Sequence, residues 1–233
     1  MKVRICIPIP ASSVQDVFTM LARAENAGAD LIEIRLDYAG LDASEIIKMS
    51  RHIAKQCSTP LIATNRQIGQ GGRCRLSEEE RIKTLIEAAK AGFTYVDLDM
   101  TTRNLTNVVN TVRDLGAKVI ISFHNFNFTP PISEMERIAE GQVEAGADIC
   151  KIVTMASSIS DSINCLLFTH KMSGSMKIVC FAMGEHGLLS RILSPLFGAP
   201  FTYASLEGGF ETAPGQISIG DLREIYRRLG VQP

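Results

Sequence analysis

The sequence predicts a (β/α)8 TIM barrel, built as a single domain across residues 1–233. Three observations predict it. Short apolar runs of β-type residues alternate eight times with helix-length amphipathic segments. Four helical segments end in a glycine just ahead of the next strand, at Gly28, Gly92, Gly116 and Gly146. Ionisable residues gather at the carboxyl ends of the apolar runs, where such a barrel keeps its chemistry. A doubly wound open sheet would share the alternation, but no G-x-G-x-x-G follows the first strand. No change of composition marks a linker.

In order, residues 3–8 form the first strand, ending at a proline, and residues 14–27 the first helix. The second strand spans 30–36 and its helix 43–56. The third spans 60–64; after a glycine-rich loop its helix covers 77–91, where Ser77-Glu78-Glu79-Glu80 supplies an N-cap and an acidic first turn. Strand 95–98 with helix 103–115, strand 118–123 with helix 132–145, and strand 149–153 with helix 158–172 follow. Strand 177–181 leads to a short helix at 188–193, and strand 201–204 to a last helix at 219–229.

Bulk properties narrow the function. The chain is 45% hydrophobic and 21% charged, with a net charge of -1 and no long basic run, which argues against nucleic acid or an anionic membrane as partner. No apolar run approaches a membrane span, and Pro8 breaks the N-terminal apolar stretch too early for a signal peptide. The six cysteines form no C-x-x-C pair and no histidine stands at metal spacing, so a cytoplasmic protein with reduced thiols and no structural metal is expected.

The most unusual residue is Lys151, in the middle of the apolar sixth strand. A charged, unpaired lysine there costs several kcal/mol. Either the strand phase carries Lys151 to a solvated rim, or it is a desolvated amine able to form a Schiff base with a ketone. On the second strand Glu33, Arg35 and Asp37 share one face, and an inward, mutually paired Glu33 and Arg35 is expected. Arg66 closes the third strand. Asp97 and Asp99 share a face at the end of the fourth, where Asp97 either balances a cation or supports catalysis. His124 ends the fifth strand, one unit before Lys151, and suits proton transfer near neutral pH. Arg191 opens the seventh helix. The glycine-rich stretch 206–216 is either a connector or a lid.

These residues together resemble the type I 3-dehydroquinate dehydratase family of the shikimate pathway. Glu33-Ile34-Arg35-Leu36-Asp37 is similar to its second-strand motif, and Thr64-Asn65-Arg66 with Gly71-Gly72 to its third-strand arginine and loop. Ser122-Phe123-His124-Asn125-Phe126 resembles its histidine motif and Cys150-Lys151-Ile152 its Schiff-base lysine motif. Ser190-Arg191 resembles its carboxylate-binding arginine, and Thr212-Ala213-Pro214-Gly215-Gln216 its closing loop. The resemblance implies Lys151 and His124 as catalytic residues. It implies Glu33, Arg35, Arg66, Arg191, Thr212 and Gln216 as substrate-binding residues, with Gln70 in support; the supporting role of Asp97 is expected from its strand position alone. It also implies 3-dehydroquinate as substrate, no cofactor or metal, and a homodimer.

Three positions depart from the family pattern: Gln70 stands for a glutamate, Asn125 for an aspartate and Thr212 for a common serine. Fewer carboxylates near His124 should lower its pKa and loosen its orientation, although Gln70 can still hydrogen-bond an imidazole. Two other classes fit parts of the pattern. One is a Schiff-base aldolase on a similar barrel, for which no clear phosphate-binding glycine loop is seen. The other is a non-catalytic binding protein that kept the pocket.

Overall fold

The computed structural model describes residues 2–11, 13–206 and 216–232. Eight strands and eight helices alternate: β1 (Ile5–Pro10), α1 (Val14–Asn26), β2 (Leu31–Arg35), α2 (Ala43–Gln56), β3 (Leu61–Thr64), α3 (Glu78–Ala91), β4 (Tyr95–Asp99) and α4 (Leu105–Asp114). The series continues with β5 (Lys118–His124), α5 (Ile132–Glu144), β6 (Ile149–Met155), α6 (Ile159–Met172), β7 (Ile178–Met183), α7 (Leu188–Leu193), β8 (Thr202–Tyr203) and α8 (Ile219–Arg228). All the pairings are parallel, in the order β7-β6-β5-β4-β3-β2-β1-β8. The sheet is therefore a nearly closed barrel, with its seam between β7 and β8. There Phe181 and Tyr203 meet edge to face at 5.9 Å.

Strand alternation sorts the side chains. Leu31, Ile62, Tyr95, Ile120, Ile149 and Val179 point inward and fill the floor of the barrel. Ile32, Ile34, Ala63, Val96, Leu98 and Val119 point outward and pack with the helices in the larger apolar layer. The helix ends obey local rules: Ser77 and Glu80 form a capping box at the start of α3. The four turn glycines all have positive φ, from 76° at Gly28 to 108° at Gly92, a conformation strained for any residue with a Cβ.

Several strands depart from their expected limits in one direction. β4, β5, β6 and β7 run one or two residues further toward their carboxyl ends than the apolar pattern indicates. The extra residues include Asp99 and His124, so polar mouth residues are held by strand pairing instead of by loops. β1 also continues through Pro8 to Pro10. Its contacts toward β8 use Arg4 and Cys6, and toward β2 use Ile5 and Ala11. Pro8 and Pro10 thus fall on the β8 side, beyond the end of the short β8, where a missing N–H costs no ladder bond.

Candidate active site

At the carboxyl ends of the strands lies a cavity of about 170 Å³. Its lining includes Glu33, Arg35, Arg66, Gln70, His124, Lys151, Arg191 and Gln216. Eight of the ten residues singled out in the sequence therefore share one cavity. Asp97 sits against Lys151 with no exposed carboxylate surface, and Thr212 lies outside the described residues.

Lys151 takes the interior reading and not the rim. It is 5% exposed, on the inward face of β6, and its backbone carbonyl accepts a hydrogen bond from the buried Gln142 amide of α5 at 3.0 Å. Its Nζ donates to Asp97 Oδ2 at 3.0 Å, lies 3.6 Å from Glu33 Oε1, and stands 4.6 Å from the centre of the Tyr203 ring. Burial alone would raise the Asp97 pKa. The Arg66 and Lys151 cations and a hydrogen bond from Ser122 reverse that and hold it below the usual carboxylate range.

Arg66 joins Asp97, at 2.9 Å, to Asp99. Beyond it, Arg81 of α3 reaches Asp99 at 3.4 Å and makes a two-pronged contact with Glu78, both bonds being 2.9 Å. The result is a line of alternating charge running from the cavity to the first turn of α3.

The expected Glu33–Arg35 pair is not what forms. Arg35 instead donates two hydrogen bonds to Asp37, at 2.9 and 2.8 Å, because the chain leaves β2 in a 3-10 turn over Leu36–Tyr38 that swings Asp37 back to it. Glu33 accepts from Thr64 Oγ1 at 2.6 Å and faces Lys151.

His124 is two residues above the register pair Ser122–Lys151 and on the same face of β5. Its pKa lies well below 6.5, first through burial and then through the Arg66 and Lys151 cations. Among the described residues its buried Nδ1 has no hydrogen-bond partner, and Gln70 lines the cavity without bonding that nitrogen. The ring is oriented another way: Phe126 stacks on it at 5.9 Å and an interplanar angle of 8°. Asn125 accepts from the N–H groups of Asn127 and Phe128 and shapes the turn. The Gly71-Gly72 pair lets the β3 loop press in. A Cβ at Gly71 would come within 2.3 Å of the Phe126 ring, and one at Gly72 within 2.1 Å of the Arg66 carbonyl oxygen.

Arg191 stands on the other wall. Ser190 accepts from Ala182 N at 2.9 Å and donates to Gly187 O at 2.7 Å, pinning α7 to the end of β7. Thr202 of β8 donates to the Arg191 carbonyl oxygen at 2.7 Å. The guanidinium lies 4.2 Å over the Phe181 ring, 1% exposed, and its Nε and Nη2 have no hydrogen-bond partner among the described residues. Burial lowers its pKa to about 10. A buried cation with free donors, facing a cavity, suits a planar anion such as a carboxylate.

Sequence reasoning did not single out Tyr203, Phe126 or Arg81. The first two are apolar in pattern, and Arg81 reads as one more helix-surface cation. Only the spacing of Glu78 and Arg81 on one helix face hinted at a pair. Among the described residues no group of three or more His, Cys, Asp and Glu side chains could hold a metal ion, and no helix is long and apolar enough to cross a membrane.

Comparison with known proteins agrees with this geometry. The family described as Type I 3-dehydroquinase matches residues 5–233. A 3-dehydroquinate dehydratase of Dehalococcoides mccartyi is 41% identical over 217 residues, covering 91% of this chain and 94% of that one. Among solved structures, a 3-dehydroquinate dehydratase from Geobacillus kaustophilus superposes with a TM-score of 0.92 at 24% identity, over 99% of this chain and 92% of that one. A type I enzyme from Clostridium difficile, solved with covalently modified comenic acid, gives 0.89 at 26% identity, over 98% and 92%. The chain belongs to the type I 3-dehydroquinase family.

Proposed function

We propose that this protein, as one barrel domain, dehydrates 3-dehydroquinate to 3-dehydroshikimate through an imine on Lys151. The observation that carries the reading is the pairing of a buried lysine with a histidine on the neighbouring strand, in one cavity, opposite a buried arginine with free donors. Removing a proton beside a ketone leaves an enolate that neutral water stabilises poorly. The Lys151 amine, after giving up a proton, attacks the carbonyl carbon; loss of water leaves a protonated iminium, which withdraws electrons from the adjacent C–H bond. His124, neutral because its pKa is depressed, accepts that proton and then returns one to the hydroxyl leaving from the carbon beta to the original carbonyl. Water then hydrolyses the imine. The iminium positive charge forms beside Asp97 and Glu33, which already face the Lys151 nitrogen and so need little rearrangement.

Arg191 takes the substrate carboxylate in two prongs. Glu33, Arg35, Arg66, Thr212 and Gln216 hold its hydroxyls and carboxylate so that one C–H faces His124. Gln70 supports from the rim, and no cofactor or metal takes part. We also read the protein as a cytoplasmic homodimer. Six free thiols suit a reducing compartment, and Ile159, Ile163 and Leu167 form an exposed apolar stripe on α6, suited to a second copy.

The test is to mix the protein with 3-dehydroquinate and borohydride, then measure intact mass and map the peptides. A reduced adduct on Lys151 establishes both imine and substrate. Absence of the adduct together with absence of released 3-dehydroshikimate rejects the reading.

A further inference from the structure

We propose that Arg81, on the outer helix α3, is a positioning residue for the Schiff-base lysine, acting along the line of alternating charge that ends at Lys151. The inference rests on the imine reading and extends it to a residue that touches neither the cavity nor Lys151. The line runs Glu78, Arg81, Asp99, Arg66, Asp97, Lys151, and every neighbouring pair is of opposite sign and in ionic contact. Arg81, Asp99, Arg66 and Asp97 are all 4% exposed or less, so solvent screens these contacts little.

Its geometry makes Arg81 a fixed end to the line. Besides Glu78 and Asp99, it donates to the Asn65 carbonyl oxygen at 3.1 Å and to Thr102 Oγ1 at 3.2 Å. Its head is thus held by the end of β3, the end of β4 and its own helix together. Asn65 is the residue before Arg66, so Arg81 sets both the backbone entering Arg66 and the charge facing Arg66's partner.

Arg66 lies between two carboxylates and divides its attraction between them. With Arg81 in place, Asp99 is partly neutralised from outside, which leaves Arg66 free to engage Asp97. Asp97 in turn divides its charge between Arg66 and Lys151. Without Arg81, Asp99 claims Arg66, Asp97 turns to Lys151, and the ammonium form is favoured over the amine that must attack. Without Glu78 the reasoning reverses: Arg81 turns fully to Asp99, Arg66 is released toward Asp97, and Lys151 loses some of its counter-charge. Alternation of sign along the line therefore demands effects of opposite direction at consecutive positions. The other groups facing the Lys151 nitrogen are Glu33, His124, Tyr203 and Cys6, and both variants leave them in place.

The experiment compares wild type with Arg81→Met, Arg81→Lys and Glu78→Gln. For each, the pH dependence of Lys151 carbamylation by cyanate is followed by peptide mass, and kcat and KM are measured across the same range. Carbamylation needs the free amine but no substrate. Arg81→Met is expected to move the midpoint up by about 0.5–1 pH unit and to lower kcat about threefold to tenfold at pH 7. Its kcat should recover at higher pH. Arg81→Lys should return most of the shift, and Glu78→Gln should move the midpoint down. A merely structural role predicts losses of kcat at every pH with no shift in midpoint. Midpoints unchanged, or shifted in the same direction by Arg81→Met and Glu78→Gln, overturn the proposal. If Arg81→Met does not fold, Glu78→Gln decides alone by the direction of its shift. Carbamylation keeps the two readings apart: opposite shifts without borohydride-trapped imine in wild type would sustain the charge line and reject the imine, whereas trapped imine without shifts would do the reverse.

Discussion

The two walls of the cavity treat buried charge in opposite ways. On the wall built by β2 to β6, every buried ionic side chain described above has a partner of opposite sign, and Arg66 has two. On the wall built by β7, α7 and β8, Arg191 is equally buried, yet among the described residues it has the Phe181 ring for a neighbour and hydrogen-bond donors without acceptors. The charges of the first wall are paired before anything binds. The second leaves the donors of Arg191 free toward the cavity among the described residues. Burying an ion is tolerable when an opposite ion comes with it, and costs stability when it does not. The protein therefore spends folding energy on the seam side; in the proposed function, the carboxylate taken by Arg191 returns it as binding energy.

The largest effects should come where the walls meet. Lys151→Ala should lower turnover by at least about 1,000-fold while the circular dichroism of the barrel stays as in wild type; normal turnover would reject the covalent route. His124→Ala should lower kcat about 100- to 10,000-fold, with imine still trapped by borohydride.

The next pair tests the comparison directly. Arg66→Met leaves Asp97 and Asp99 each short of a buried cation and should destabilise the fold by about 3–5 kcal/mol in urea unfolding. Arg191→Met removes a buried cation that has no counter-ion among the described residues, so stability should hold or rise. Its KM should climb about 10- to 150-fold, the equivalent of one charged hydrogen-bonding contact. If both variants lost stability alike, the distinction between the walls would fail.

Smaller effects sharpen the picture around His124. Its pKa is depressed in the folded state, so above about pH 6.5 the ring is neutral whether folded or not, and titration contributes nothing. As pH falls below that value, the unfolded chain binds a proton that the folded one resists, and stability is lost. Asp97, also depressed, adds its own loss only below about pH 3.9. His124→Gln should therefore flatten the urea midpoint between pH 7.5 and about 5.5, and an unchanged slope would place the depressed group elsewhere. Phe126→Leu keeps apolar bulk but removes the stack; kcat should fall about twofold to tenfold with little change in KM.

Much of this was legible in the sequence, for reasons that differ by residue. Lys151 could be read because an ionisable residue inside an apolar run breaks a strong pattern. His124 and Arg66 could be read because barrel topology fixes where a strand's last residue must be. The capping box at Ser77 and the four turn glycines are local chemistry, which a sequence states directly. The Arg35–Asp37 pair could not be read that way: alternation put Glu33, Arg35 and Asp37 on one face and left Arg35 two carboxylates, and only the turn after Arg35 selects Asp37. The ends of β4 and β5 were read short because Asp99 and His124, polar residues at the mouth, look like loop until neighbouring strands are known to pair with them. Arg81 and Tyr203 stayed hidden because their role lies in partners distant in sequence, Asp99 for one and Lys151 for the other.

The two ends of the chain meet beneath the barrel. Lys2 bridges to Gln232 in parallel, and Val3 N–H donates to the Gln232 carbonyl oxygen at 3.0 Å, on the face opposite the cavity. The first and last units are therefore bonded neighbours beneath the barrel, through residues 2, 3 and 232. Joining residue 232 to residue 2 by a short linker, and reopening the chain at the exposed turn around Gly116, should give a circularly permuted protein that still places Lys151 beside His124.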